Sequence, residues 1–178
     1  MLTGAAYVIP TVALRFFNVY GPHQALSNPY TGVLAIFASR YLNGRRPMIF
    51  EDGRQRRDFV SVHDVARACS LALVSDDAVN NVINIGSGRS ITVEEVAAQL
   101  ARTLGTAHLT PEVTGKYRMG DIRHCFADIT MAERLLGYQP KVGIEEGVVE
   151  LAEWLQGQVA TDDVERATSE LETRGLTV

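Results

Sequence analysis

Apolar and polar positions alternate in blocks along this chain, and each block has a recognisable period. Thr11–Phe17 is β-branched and aromatic and reads as a buried strand, broken by Asn18-Val-Tyr-Gly-Pro22 and a long polar loop. Thr31 is placed to cap a helix running through Leu42, because Val33, Leu34, Phe37 and Tyr41 recur at helical spacing. Asn43-Gly44 stops it. Pro47–Phe50 and Asp58–Val62 read as short extended pieces around an Asp52-Gly53 turn, and His63–Val74 as an amphipathic helix. Asn81–Ile85 is a strand with Gly86-Ser-Gly88 as its turn. Thr92-Val-Glu-Glu95 has the form of a capping box, opening a helix to Leu104 that Gly105 ends; Thr130-Met-Ala-Glu133 is a second box, before a short helix stopped by Gly137. Glu145–Leu155 is the last predicted helix. Alternation of strands and helices points to an α/β or α+β fold and away from an all-β sandwich.

Composition changes this picture little. The 178 residues are 46% hydrophobic and 21% charged, an ordinary globular balance that excludes disorder and fibrous repeats. Charge is more informative. Seventeen basic and 21 acidic residues give −4. Residues 157–178 hold Asp162, Asp163, Glu165, Glu170 and Glu172 against Arg166 and Arg174, so most of that charge belongs to the tail, read as solvated helix or frayed end. A general nucleic-acid binder is not expected. Residues 1–14 are apolar but lack a basic start and are interrupted by Pro10, and no run reaches the roughly 20 apolar residues that cross a bilayer. The chain reads as cytoplasmic, with Cys69 and Cys125 as buried thiols in apolar surroundings.

Gly86-Ser-Gly-Arg-Ser-Ile91 invites comparison with a dinucleotide loop, but Ile91 stands where the third glycine is needed. It reads as a strand-to-helix turn. His23, His63, His108 and His124 have no metal-ligand spacing with the cysteines. Six arginines fall between Arg40 and Arg57. Arg57 is distinctive because the chain turns apolar directly after it, and a guanidinium at such an edge needs a carboxylate or phosphate. From spacing alone, a salt bridge to Asp58 and an external anion are both open. Arg118-Met-Gly-Asp-Ile-Arg123 is a second dense charged loop.

Taken together, Leu14-Arg-Phe-Phe-Asn-Val-Tyr-Gly-Pro22, Gly53-Arg-Gln-Arg-Arg-Asp-Phe-Val60, Val62-His-Asp-Val-Ala66 and Asn84-Ile-Gly-Ser-Gly88 resemble the extended short-chain dehydrogenase/reductase family, and within it the NAD-dependent nucleotide-sugar epimerases and dehydratases. Tyr117-Arg-Met-Gly-Asp121, Leu136-Gly-Tyr-Gln-Pro140 and the Glu145-Glu-Gly147 helix follow in the family's order. The likeness spans about residues 8–156. Ser27–Val33 and Gly120-Asp-Ile-Arg-His-Cys125 are most similar to the dTDP-L-rhamnose 4-epimerase type. The resemblance implies the C-terminal part of a Rossmann-type parallel sheet, one or two strands, joined to a small mixed α/β substrate-binding domain over residues 1–156, then an acidic tail over 157–178.

It also implies roles. Phe16 would lie near the nicotinamide, and Asn18 would reach the sugar or diphosphate. The helix start at Val33 would aim backbone N–H groups at phosphate. Met48 and Phe50, which alone would read as core, would sandwich the base of a dTDP- or UDP-sugar. Arg57 and Arg118 would neutralise the diphosphate, deciding Arg57 in favour of the anion, and Asp121 would accept the ribose hydroxyls. The complete enzyme would pass hydride from sugar C4 to NAD and return it to the other face, as a homodimer.

The departures are equally definite. The family's Gly-x-x-Gly-x-x-Gly loop, its acidic ribose ligand and its Tyr-x-x-x-Lys are absent; Tyr138 has Lys141 one residue too early. The expectation is the C-terminal half of an epimerase, holding the substrate clamp without the catalytic base and inactive alone. A non-catalytic nucleotide-sugar module that completes a separate Rossmann half, a 4,6-dehydratase fragment and a remnant unable to fold alone are the alternatives.

Overall fold

Two apolar stripes on separate helices organise the core. In the computed structural model, which describes residues 1–25, 32–117, 119–158, 169 and 172–174, α4 (Val93–Thr103) buries Val93, Val96, Ala97, Leu100 and Ala101, and α6 (Ile144–Leu155) buries Val148, Leu151, Ala152 and Leu155. These are i, i+3, i+4, i+7 patterns, one continuous helix face each. Together with α2 (Val33–Leu42) they enclose one hydrophobic cluster around Leu34, Phe37 and Tyr41. A second cluster gathers Ile83, Ile85, Val65, Ala132 and Tyr138. It lies between a parallel strand pair, β1 (Ala13–Phe16) and β6 (Val82–Ile85), and the helices α3 (Val62–Val74) and α5 (Thr130–Leu136).

Sheet structure is fragmentary. Leu14 registers with Ile83 and Phe16 with Ile85 in β1–β6, and among the described residues β6 is the one strand neighbour of β1. β2 (Asn18–Tyr20) pairs in parallel with β5 (Phe59–Ser61), and β3 (Met48–Ile49) with β8 (Glu112–Val113). β4 (Arg56–Arg57) runs antiparallel to β7 (Ile91–Thr92). The expected α/β fold forms, as short and mainly parallel sheet pieces set among helices.

Local expectations fare unevenly. The Thr92 box is complete: Glu95 N–H donates to Thr92 Oγ1 at 3.1 Å and Glu95 Oε2 accepts the Thr92 N–H at 2.9 Å. Hydrogen bonding holds the Glu95 carboxyl below the usual range, first from the Thr92 N–H and then from its hydroxyl. The second box does not form. Thr130 is already helical, its N–H donates to Asp128 Oδ1 at 3.0 Å, and Glu133 N–H goes to the Ile129 carbonyl. Asp128, two residues upstream, is the acceptor that Thr130 was expected to be. α2 begins at Val33 with Gly32 as its cap and no side-chain hydrogen bond there; Thr31 and most of the tail lie outside the described residues. A helix, α1 (Leu2–Tyr7), forms where none was expected, and both cysteines are half-buried rather than buried. No helix among the described residues is long and apolar enough to cross a membrane.

The quoted sequence blocks are tied to one another by buried polar contacts. Asp58 is fully buried, and its carboxylate accepts N–H groups from Ser87 (2.7 Å), Gly88 (3.0 Å) and Ala127 (3.2 Å). Asp64, also buried, accepts from the Lys141 and Val142 N–H groups and pairs with Arg67, which donates further to the Gln139 carbonyl at 2.6 Å. Tyr138 Oη donates to the Gly86 carbonyl at 2.9 Å. Tyr20 packs its phenol onto Gly147, leaving no space for a Cβ. Each buried acceptor is satisfied by backbone from a distant block, so these contacts set how the strand ends and loops meet.

Candidate functional site

Arg57 reaches its working position through β4. Its backbone pairs with Ile91 on one side and bridges to Cys125 on the other. The side chain is 14% exposed, and the guanidinium donates to the Arg56 carbonyl (3.0 Å), the Arg123 carbonyl (2.8 Å) and Asp121 Oδ1 (3.3 Å). Two main-chain oxygens therefore aim it, and one partly exposed carboxylate balances it. Asp58 is not that partner. Neighbouring residues of an extended strand point to opposite faces, so Asp58 turns inward to the Gly86 turn while Arg57 faces the 121–125 loop. Asp121 Oδ1 also accepts the Ile122 N–H at 2.8 Å, and Oδ2 has no hydrogen-bond partner among the described residues.

Beside this pair lies an open cavity of about 510 Å³ lined by Glu51, Asp52, Gly115, Tyr117, Asp121 and Arg123. Arg123 spans Glu51 at 2.6 Å and Asp52 at 2.8 Å. That hydrogen bond holds the Asp52 carboxyl below its ordinary range, helped by the Arg54 N–H, and raises Arg123 in turn. Glu51 adopts φ +55° and donates its N–H to the Lys116 carbonyl at 2.7 Å, docking the end of β3 against the charged loop. A non-glycine residue in this region is uncommon and is held by its surroundings.

The expected site residues thus divide. Arg57 and Asp121 meet directly. Met48 in β3 and Phe50 just after it are half-buried and lead into Glu51, but neither lines the cavity. Asn18 opens β2 opposite Phe59 and donates its N–H to the Asp58 carbonyl at 3.0 Å, one residue from Arg57. Phe16, 47% exposed, ends β1, and Val33 opens α2; neither borders the cavity. Arg118 lies outside the described residues. Sequence reasoning missed Glu51, Asp52 and Arg123 as a charge cluster. Their signal was present as an acidic pair before a turn and a charged loop, but which loop meets which turn is a tertiary fact.

The glycine turn gives a direct test of dinucleotide binding. Its N–H groups converge on Asp58, and a Cβ on Gly86 would lie 2.6 Å from Asp58 Oδ2 and 2.5 Å from the Ala127 Cβ. The turn is filled from within by a carboxylate, so it does not fit a pyrophosphate. No group of His, Cys, Asp and Glu suited to a metal ion occurs among the described residues.

Comparison with known proteins gives the context for this geometry. The model of the NAD dependent epimerase/dehydratase family matches residues 2–86. The chain is 36% identical over 146 residues to dTDP-L-rhamnose 4-epimerase of Burkholderia thailandensis, covering 82% of this chain and 40% of that protein. Among solved structures it is similar to UDP-glucose 4-epimerase of Thermotoga maritima with UDP-glucose (38% identity, TM-score 0.76, 87% of this chain and 48% of that one). It is also similar to UDP-N-acetylglucosamine 4-epimerase of Methanobrevibacter ruminantium with UDP-N-acetylmuramic acid (34% identity, TM-score 0.81, 89% and 50%). The chain belongs to the NAD-dependent epimerase/dehydratase family, alongside nucleotide-sugar epimerases, and spans about half the length of the relatives it matches.

Proposed function

We propose that residues 1–156 are the nucleotide-sugar-binding portion of an NAD-dependent 4-epimerase acting on a dTDP- or UDP-sugar, with 157–178 as an acidic tail. The observation that carries this reading is the Arg57–Asp121 pair at 3.3 Å. Arg57 is aimed by two carbonyls and balanced by a single carboxylate, so a diphosphate can take up its remaining donors. Asp121 keeps Oδ2 open for a ribose hydroxyl. Relatives solved with UDP-glucose and UDP-N-acetylmuramic acid support that ligand class.

In this reading Arg118 adds a second charge to the diphosphate, and Met48 and Phe50 flank the base. Asn18 and the N–H groups at the start of α2 address the phosphate and sugar, and Phe16 faces the nicotinamide side. NAD would supply the redox chemistry. With the Gly86 turn filled by Asp58, this chain's described residues offer that cofactor no phosphate loop, so no step of the reaction is assigned to them. The whole enzyme is read as a cytoplasmic homodimer, and this chain as binding without catalysing.

The test is calorimetric titration of the 178-residue chain with UDP and with dTDP. Saturable binding that Arg57→Ala weakens by at least about tenfold is expected, since a hydrogen-bonded charge pair is worth about 1.5–3 kcal/mol. Binding that Arg57→Ala leaves unchanged, or none at millimolar ligand, would overturn the reading. Interconversion of UDP-glucose and UDP-galactose by the chain with NAD would overturn its inactivity.

A further inference from the structure

A second cavity, of about 680 Å³, opens on another part of the molecule and shares no lining residue with the first. One wall is α4, which presents Glu95, Ala98, Gln99 and Arg102 at i, i+3, i+4 and i+7, a face distinct from its buried stripe. The other walls are the Ser87–Ile91 segment and the Pro140–Glu145 approach to α6, with Phe59 contributing an apolar surface. The size falls within the roughly 300–1,000 Å³ of small-molecule sites.

Three cationic side chains line this cavity. Arg89, Arg102 and Lys141 come from three separate segments, and among the described residues none of their head groups has a hydrogen-bond or ion-pair partner. Of the two carboxylates in the lining, Glu95 has its Oε2 accepting both the Thr92 N–H and the Thr92 hydroxyl, and Glu145, in the first turn of α6, pairs with none of the three cations. Two of the cations stand on fixed backbone. Lys141 N–H is held by Asp64 at 3.0 Å, and Arg89 N–H by Ser87 Oγ at 3.1 Å while Ser87 Oγ donates back to the Arg89 carbonyl. Arg57, Arg67 and Arg123, by contrast, each pair with a carboxylate. Three cations against two carboxylates leave this half-apolar cavity with a lining charge of about +1, and the three cationic head groups have no ion-pair partner among the described residues.

We propose that this cavity binds a small phosphorylated metabolite. Its phosphate would be held by Arg89, Arg102 and Lys141, and its body would rest against Phe59, Ile91 and Ile144. The site rests on no part of the proposed epimerase function. Inorganic pyrophosphate is the probe, titrated into the Arg57→Ala chain so that the Arg57–Asp121 site is disabled. We expect that variant to bind about one equivalent. Adding Arg102→Gln and Lys141→Gln should weaken binding at least about tenfold, and Arg102→Lys with Lys141→Arg should restore most of it. Arg102 and Lys141 are both exposed, so changes at these two positions should leave the melting curve of the Arg57→Ala chain unchanged. No pyrophosphate binding by Arg57→Ala, or equal binding with and without the two glutamines, would overturn the proposal.

Discussion

Asp58 and Ser87 meet 29 positions apart in sequence: the buried carboxylate accepts the Ser87 N–H at 2.7 Å, inside a turn that also gives it the Gly88 N–H. With the Ala127 N–H as third donor, one side chain joins the β4–β5 junction, the end of β6 and the loop before α5. Arg57 is its immediate neighbour, so the placement of the candidate anion ligand depends on this internal anion.

Asp58→Ala should therefore destabilise the chain by about 3 kcal/mol or more, because three buried N–H groups lose a charged acceptor. Asp58→Asn keeps the shape and one acceptor oxygen and should cost less. The denaturant midpoint measures both.

This contact also marks where the sequence could be read and where it could not. The helices α4 and α6 and the Thr92 box follow from local spacing, and they formed as expected. The partner of Arg57 did not follow from spacing. Asp58 is adjacent in sequence but on the opposite face of the strand, whereas Asp121 is 64 positions away and arrives by tertiary folding. The two-residue strands β7 and β8 carry no period of their own and exist because β4 and β3 offer them an edge. The family blocks were visible as strings. That Tyr138, Asp64 and Gly147 in them serve as links between blocks required coordinates.

The two expected capping boxes separate a local signal from its execution. Thr92→Ala should cost about 1 kcal/mol of stability, the ordinary value for a working N-cap. At α5 the comparable loss should come from Asp128→Ala, since Asp128 accepts the Thr130 N–H, and hydrogen bonding from Thr130, first its hydroxyl and then its N–H, holds the Asp128 carboxyl below the usual range. Glu133→Gln should change little there, as no reciprocal bond exists to break. Thermal unfolding of the three variants checks the contrast.

Gly147 has a different reason to be glycine. It lies within α6, where glycine is intrinsically costly, yet a Cβ there would run into the phenol of Tyr20, which is 2% exposed. Gly147→Ala should destabilise by about 1–3 kcal/mol despite improving helix propensity. The pair Gly147→Ala with Tyr20→Leu should recover part of that loss. A double-mutant cycle with no coupling would show that the contact is not the cause.

Alkaline pH should unfold the protein through its tyrosines. Burial is the main cause that raises Tyr20, Tyr41 and Tyr138, pushing Tyr41 up to about 12 and the other two further. An unfolded tyrosine ionises near 10. The neutral phenols are therefore favoured in the folded state. Their contribution is fully present below pH 10 and is lost as pH rises through the folded values. Each phenol can remove up to about 1.4 kcal/mol per pH unit above 10. Tyrosinate absorbance should show these three ionising only together with loss of helical circular dichroism. Smooth ionisation of all tyrosines in a still-folded chain would contradict this.

Asp121→Asn separates the two halves of the proposed nucleotide site. In the free protein Asp121 is the one carboxylate on the Arg57 guanidinium, so removing its charge should leave that guanidinium a better anion ligand. Pyrophosphate, which has no ribose, should bind the Arg57 region of the Asp121→Asn chain more tightly, with the second cavity disabled by Arg102→Gln and Lys141→Gln. UDP should not share the full gain, because the open Oδ2 acceptor for its ribose hydroxyl is replaced by an amide that meets it less well. The ratio of UDP to pyrophosphate affinity should consequently fall. If both ligands gained equally, Asp121 would serve only to neutralise Arg57, and its assignment to the ribose would be wrong.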